Sequence, residues 1–115
     1  MKDYMELPLE INAERLIQLP AGSYLAADMR DEYSCGYGML DGAVRVGEDE
    51  LLAFGENGEP LPALAQAVEE GMPIVLYCKY GKISLDAAEA LREKGYRNFC
   101  SLQGGYGSWA LEESR

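Results

Sequence analysis

Residues 73–84 read Pro-Ile-Val-Leu-Tyr-Cys-Lys-Tyr-Gly-Lys-Ile-Ser. The run Pro73 to Cys78 is apolar without alternation, with a proline before it and a glycine-containing loop after it. A strand covered on both faces has this pattern, as in the interior of a parallel sheet. The next stretch, Ser84 to Lys94, places Leu85, Ala88 and Leu91 on one face of a helix. Arg92 and Lys94 sit at its C-terminal end and Gly95 closes it. Strand, short loop and helix are therefore predicted in succession. Cys78 falls at the carboxyl end of the strand, the side on which open α/β sheets bind ligands. It is the residue best placed to do chemistry.

Outward from this segment, helices and strands alternate. Phe99 to Leu102 reads as a further short strand, and Gly104 to Gly107 as a glycine-rich turn. Trp109, a core plug, then opens a last helical segment with Leu111. Upstream, Ala63 to Glu70 is a helix stopped by Gly71 and Pro73, preceded by a turn-rich stretch from Gly55 to Pro62. Asp49 to Phe54 and Asp31 to Tyr33 read as helical turns, and Ala43 to Val46 as a short strand. Ser23 to Met29 is a buried strand, and Tyr4 to Ile11 alternates loosely like an edge strand. Asn12 is a good N-cap for a short helix over Arg15 to Leu19. The pattern predicts an α/β fold: a mainly parallel sheet with helices on both faces.

The length of 115 residues fits one domain, 1–115, with a core that needs no disulfide or metal. Mean hydropathy is -0.22 and no apolar run reaches the ~18 residues of a membrane span. The opening Met1-Lys2-Asp3-Tyr4 lacks the apolar stretch of a secretion signal, and a cytoplasmic location is expected. The net charge of -10 disfavours nucleic acid and anionic membranes as partners. It leaves room for a small anionic substrate at a locally positive site.

The chain has 3 cysteines and no histidine. Cys35, Cys78 and Cys100 match no paired zinc spacing, and no Ser-His-Asp triad, Cys-His pair or His-ligated metal can be built. No cofactor is expected. A reactive cysteine here must be activated by backbone dipoles and by lysine or arginine. The loop Lys79-Tyr80-Gly81-Lys82-Ile83-Ser84 offers both. Its amides converge at a helix start, Lys79 and Lys82 add positive charge, and Gly81 lets the backbone bend around the sulfur. Tyr80 is placed to contact substrate or to shield the loop. Asp28 and Arg30, ending a strand beside this site, read as a supporting ion pair or loop anchor. Cys35 is either a resolving partner for Cys78 or an incidental loop cysteine, and Cys100 is core packing.

These residues resemble a known family. Cys78-x-x-Gly81-x-x-Ser84, then Gly95-Tyr96, then Leu102-x-Gly104-Gly105-x-x-x-Trp109 is similar to the C-terminal half of a rhodanese domain. Ala27-Asp28-Met29-Arg30, Glu32-Tyr33 and Asp41-Gly42-Ala43-Val44 resemble that family's first half, in the same order. The resemblance implies a three-layer rhodanese-like fold with five strands. It also implies a sulfurtransferase in which Cys78 carries sulfane sulfur as a persulfide, with residues Lys79 to Ser84 binding the substrate. A small anionic donor such as thiosulfate would supply the sulfur. A thiol, cyanide or a sulfur-carrier protein would accept it.

Two departures bear on this. The family's Gly-His-Ile-Pro-Gly-Ala segment is Gly38-Met39-Leu40-Asp41-Gly42-Ala43 here, and Ile83 stands where many members carry arginine. The related phosphatases use a longer loop ending in arginine, which this chain lacks. The alternative is a catalytically weak binding or regulatory module, fused to or partnered with a sulfur-carrier adenylyltransferase.

Overall fold

The computed structural model describes residues 4–56 and 61–115. Its centre is a five-stranded sheet in the order β1-β5-β4-β2-β3. The strands are β1 (Glu10–Ile11), β2 (Leu25–Asp28), β3 (Val44–Arg45), β4 (Ile74–Tyr77) and β5 (Phe99–Leu102). Every pairing is parallel. β4 lies in the middle, and all four of its residues are buried. This explains its unbroken apolar run: side chains alternate across the pleat, but both faces are covered.

The two faces have separate cores. Ile74 and Leu76 of β4 join Ala27, Phe99 and the helices α3 (Glu48–Leu52), α4 (Pro62–Glu70) and α5 (Lys82–Glu93) through Leu51, Leu64, Ala87, Ala88 and Leu91. Val75 and Tyr77 point the other way, into a cluster with Cys100, Leu102 and Leu16 of α1 (Ala13–Ile17). Tyr106 and Trp109 of α6 (Gly105–Glu113) pack partly against that second cluster. The short α2 (Glu32–Cys35) follows β2. Among the described residues no helix is long and apolar enough to cross a membrane.

Several elements differ from the expected bounds for local reasons. Helix α5 begins at Lys82 rather than Ser84, because Gly81 adopts φ 93° and turns the chain directly into the helix. Of the predicted face, Ala88 and Leu91 are buried and Leu85 is half-buried; Ser84 and Ala87 complete the buried stripe. Of the stretch Gly104 to Gly107, read as a turn, Gly104 is the N-cap and Gly105 to Gly107 form the first turn of α6; three glycines among these four residues conceal a helix that tertiary packing imposes. Trp109 is half-buried on Tyr106, with ring centroids 5.6 Å apart. The expected edge strand Tyr4 to Ile11 pairs only at Glu10–Ile11. Pro8, just upstream, has no N–H to give a ladder. Asn12 caps α1 as expected, its side chain accepting from the Arg15 amide at 2.8 Å, which starts the helix at Ala13. Residues 57–60 of the expected turn Gly55 to Pro62, and Met1 to Asp3 of the expected start, lie outside the described residues.

The sheet therefore depends on β4 being sealed from both sides. Leu76→Ala should lower unfolding free energy by about 2–5 kcal/mol, the cost of a cavity at a fully buried leucine, read from the urea midpoint.

Candidate active site

Strand β4 ends at Tyr77, and Cys78 begins the loop that enters α5. The loop folds back so that its amides surround the sulfur. Cys78 Sγ accepts from the Gly81 amide at 3.2 Å and from the Ser84 amide at 3.4 Å. Ser84 Oγ lies 3.4 Å from the same sulfur. Helix α5 has Gly81 as its N-cap and no side-chain capping bond. A helix start ordinarily has a side-chain oxygen accepting from the second or third amide. Here the sulfur of the preceding strand accepts from the third, Ser84.

This placement controls the charge of the thiol. Burial pushes the Cys78 thiol up, and the Ser84 hydroxyl, the Ser84 amide and the amides of Gly81 and Tyr80 more than reverse it. The net effect holds Cys78 below the ordinary thiol range. The other two cysteines go the opposite way. Burial and the nearby Asp28 carboxylate raise Cys35, and burial pushes Cys100 up to about 12. All three are free thiols.

The loop is held from behind by the start of α6. A Cβ at Gly105 would sit 2.5 Å from the carbonyl oxygens of both Cys78 and Lys79, and Gly105 itself has φ 68°. A Cβ at Gly81 would meet the Gly104 nitrogen at 2.8 Å. The Tyr106 amide donates to the Cys78 carbonyl at 2.9 Å. Two backbone segments thus touch without side chains between them, which only glycine permits.

The residues singled out in the sequence separate into three groups. Gly81, Ser84 and Tyr80 meet the sulfur through amides, and Ser84 also through its hydroxyl. Neither lysine is among the groups that bond the sulfur: Lys82 Nζ lies 3.3 Å from Asp86, and Lys79 Nζ lies 5.4 Å from the Tyr80 ring centroid. The groups that lower the Cys78 pKa are thus amides and a hydroxyl rather than the expected ammonium groups. Tyr80 and Ile83 are exposed at the mouth. Asp28 and Arg30 form a buried ion pair at 2.7 Å. Arg30 also donates to the Gly38 carbonyl and lies 3.8 Å over the Tyr106 ring. The pair therefore braces β2, the Gly38 segment and α6. Cys35 contacts Asp28 and the Arg30 carbonyl, so its environment is this brace.

Sequence reasoning missed one residue. Ser101 of β5, fully buried, places its hydroxyl 2.7 Å from Ser84 Oγ. The available signal was a lone polar residue on the helix-covered face of an otherwise apolar strand.

An α/β domain presenting a low-pKa cysteine in an amide cradle at a strand end is thereby defined. Residues 12–112 match the family described as the rhodanese-like domain. The thiosulfate sulfurtransferase GlpE of Shewanella oneidensis is 31% identical over 100 residues, which cover 86% of this chain and 89% of that protein. The human single-domain sulfurtransferase TSTD1 superposes with TM-score 0.69 at 26% identity, over 90% of this chain and 96% of that one. A Rhodopseudomonas palustris protein described as a possible tyrosine phosphatase superposes with TM-score 0.71 at 23% identity, over 88% of this chain and 76% of that one, a likeness of fold alone. The chain belongs to the rhodanese-like domain family.

Three outcomes follow from this geometry. Ser84→Ala should move the midpoint of the pH profile of Cys78 alkylation upward by about one unit, the worth of one hydrogen bond to an anion. Gly105→Ala should displace the Cys78 loop, cutting Cys78 alkylation at neutral pH by about tenfold or more while also lowering the unfolding temperature. A thiol whose folded-state pKa lies below its unfolded value stabilises the fold above the unfolded pKa, and that contribution disappears as pH falls through the folded pKa. Urea midpoints should accordingly rise, as pH increases towards the ordinary thiol range of about 8.5, by more in the native chain than in Cys78→Ala.

Proposed function

We propose that this domain is a sulfurtransferase in which Cys78 carries sulfane sulfur as a persulfide. The observation that carries the proposal is the Cys78 sulfur bonded by two loop amides and faced by the Ser84 hydroxyl, below the ordinary thiol range without any histidine. The relatives named as sulfurtransferases support the same reading. The Cys78 thiolate attacks the outer sulfur of a donor. One S–S bond forms, one breaks, and the donor's remainder leaves with the electron pair; with thiosulfate the leaving group is sulfite. The persulfide's terminal sulfur is an anion, and the amides of Lys79 to Ser84 are the donors available to it. An acceptor thiolate then attacks that terminal sulfur, forming a new S–S bond and returning Cys78 as a thiolate. Cyanide would attack the same terminal sulfur, forming the C–S bond of thiocyanate and likewise returning Cys78 as a thiolate. Every step is a displacement at sulfur, so no general base is required.

Ile83 shapes the choice of donor. It is 48% exposed at the mouth of the loop, where a cation would meet an incoming dianion. With Lys82 turned to Asp86, the mouth presents Tyr80 and Ile83, and the one loop cation beside them is Lys79, 5.4 Å from the Tyr80 ring. Such a mouth favours donors whose leaving part is apolar or weakly charged, including persulfides of organic thiols, over thiosulfate.

Incubation of the reduced protein with polysulfide or thiosulfate should add one sulfur to Cys78 in the intact mass, and Cys78→Ser should gain none. Absence of a gain with every sulfane donor, including a cysteine desulfurase, would leave a binding module as the better reading. Ile83→Arg should raise the rate with thiosulfate about tenfold relative to polysulfide, the effect of one charge-assisted contact of ~1.4 kcal/mol.

A further inference from the structure

Ser101 is an anomaly in its surroundings. It lies in β5 on the same face as Phe99, in register with Leu76 of β4 and against Ser84 of α5, on the side of the larger core. A hydroxyl buried without a partner costs ~1–3 kcal/mol, and an apolar residue would pack there without that penalty. Among the described residues its side chain has one hydrogen-bond partner, Ser84 Oγ at 2.7 Å. Ser84 Oγ in turn lies 3.4 Å from Cys78 Sγ. Both serines are fully buried. Sulfur and two hydroxyls therefore make a closed line of three atoms.

Each hydroxyl has a single proton, so the line has two consistent arrangements. With Cys78 as a thiol, its S–H donates to Ser84 and Ser84 donates to Ser101. With Cys78 as a thiolate, the sulfur can only accept: Ser84 donates to sulfur and Ser101 donates to Ser84. Ionisation of the sulfur therefore leaves only the second arrangement. Ser101 is what keeps Ser84 satisfied as an acceptor once the Ser84 proton has turned to the anion.

We propose that Ser101 is a positioning residue for Cys78, acting through Ser84 to hold the hydroxyl proton on the anionic sulfur. The proposal deepens the persulfide reading and rests on it for its use, since transfer of the terminal sulfur to an acceptor regenerates the same Cys78 thiolate. Its test reads the ionisation of Cys78 alone, so it stands or falls independently of sulfur transfer.

The pH profile of Cys78 alkylation by iodoacetamide, followed on the Cys78 peptide by mass, should be compared in the native chain, Ser101→Ala, Ser101→Thr, Ser84→Ala and the double alanine variant. Ser101→Ala should raise the midpoint by about half a pH unit, leaving roughly threefold less thiolate well below the midpoint. Ser101→Thr, which keeps the hydroxyl, should leave the midpoint within experimental error of the native value. The double variant should match Ser84→Ala, because Ser101 acts only through Ser84. An unchanged midpoint in Ser101→Ala overturns the proposal, as does a double variant whose shift equals the sum of the two singles. Should Ser101→Ala fail to fold, Ser101→Cys takes its place, with a smaller upward shift expected from its weaker S–H donor and no shift overturning the proposal.

Discussion

The sulfur of Cys78 stands where the start of a helix ordinarily meets an oxygen. Helix α5 opens on Gly81, which has no side chain with which to cap it, and the amide of Ser84 at its third position bonds to Cys78 Sγ instead. The orphan amides of a first turn need an acceptor, and they carry the positive end of the helix dipole. One interaction thus completes the helix and favours negative charge on the thiol. The strand, the tight loop and the helix are each ordinary. Their junction gives the cysteine its character, and that character requires the sheet to end at this point and the loop to return within three residues.

Holding the junction requires support from parts of the chain far away in sequence. Gly105 brings α6 against the carbonyls of Cys78 and Lys79, closer than any side chain would permit. Arg30, buried against Asp28, lies over the Tyr106 ring of the same helix. A buried ion pair recovers its desolvation cost only with good geometry and further hydrogen bonds. Here Asp28 accepts from both the backbone and the guanidinium of Arg30, and Arg30 also donates to Gly38. Below the loop, Ser84 and Ser101 place two hydroxyls in an otherwise apolar layer. The cradle is supported by α6 on one side and by β5 on another.

The parts legible in the sequence were those governed by local pattern. The apolar run of β4, the α5 periodicity, the parallel sheet and the placing of Cys78 at a strand end all follow from side-chain spacing and burial. The glycines at the start of α6 misled because local propensity argues for a turn, while packing of Gly105 against Cys78 and Lys79 demands an absent side chain in a helix. The lysines misled because sequence shows that charge is nearby but not where an ammonium points; Lys82 turns to Asp86, its neighbour one helical turn on. Ser101 was invisible because its partner, Ser84, is 17 residues away and meets it only after α5 packs across the sheet.

Cys100 has a use beyond packing. It lies fully buried in β5, bonds weakly to the Ile74 carbonyl at 3.7 Å, and is held protonated to about 12. A thiol reagent reaches it only when the core between the sheet and the layer of α1 and α6 opens, which costs far more than a local fluctuation of a surface loop. Under the function proposed above, Cys78 in the same molecule reacts from the native state. The chain therefore carries two clocks in one labelling experiment: the rate at Cys78 measures how anionic the site is, and the rate at Cys100 measures how often the domain opens. A substitution that alters the first without the second has changed the chemistry of the sulfur and left the architecture intact.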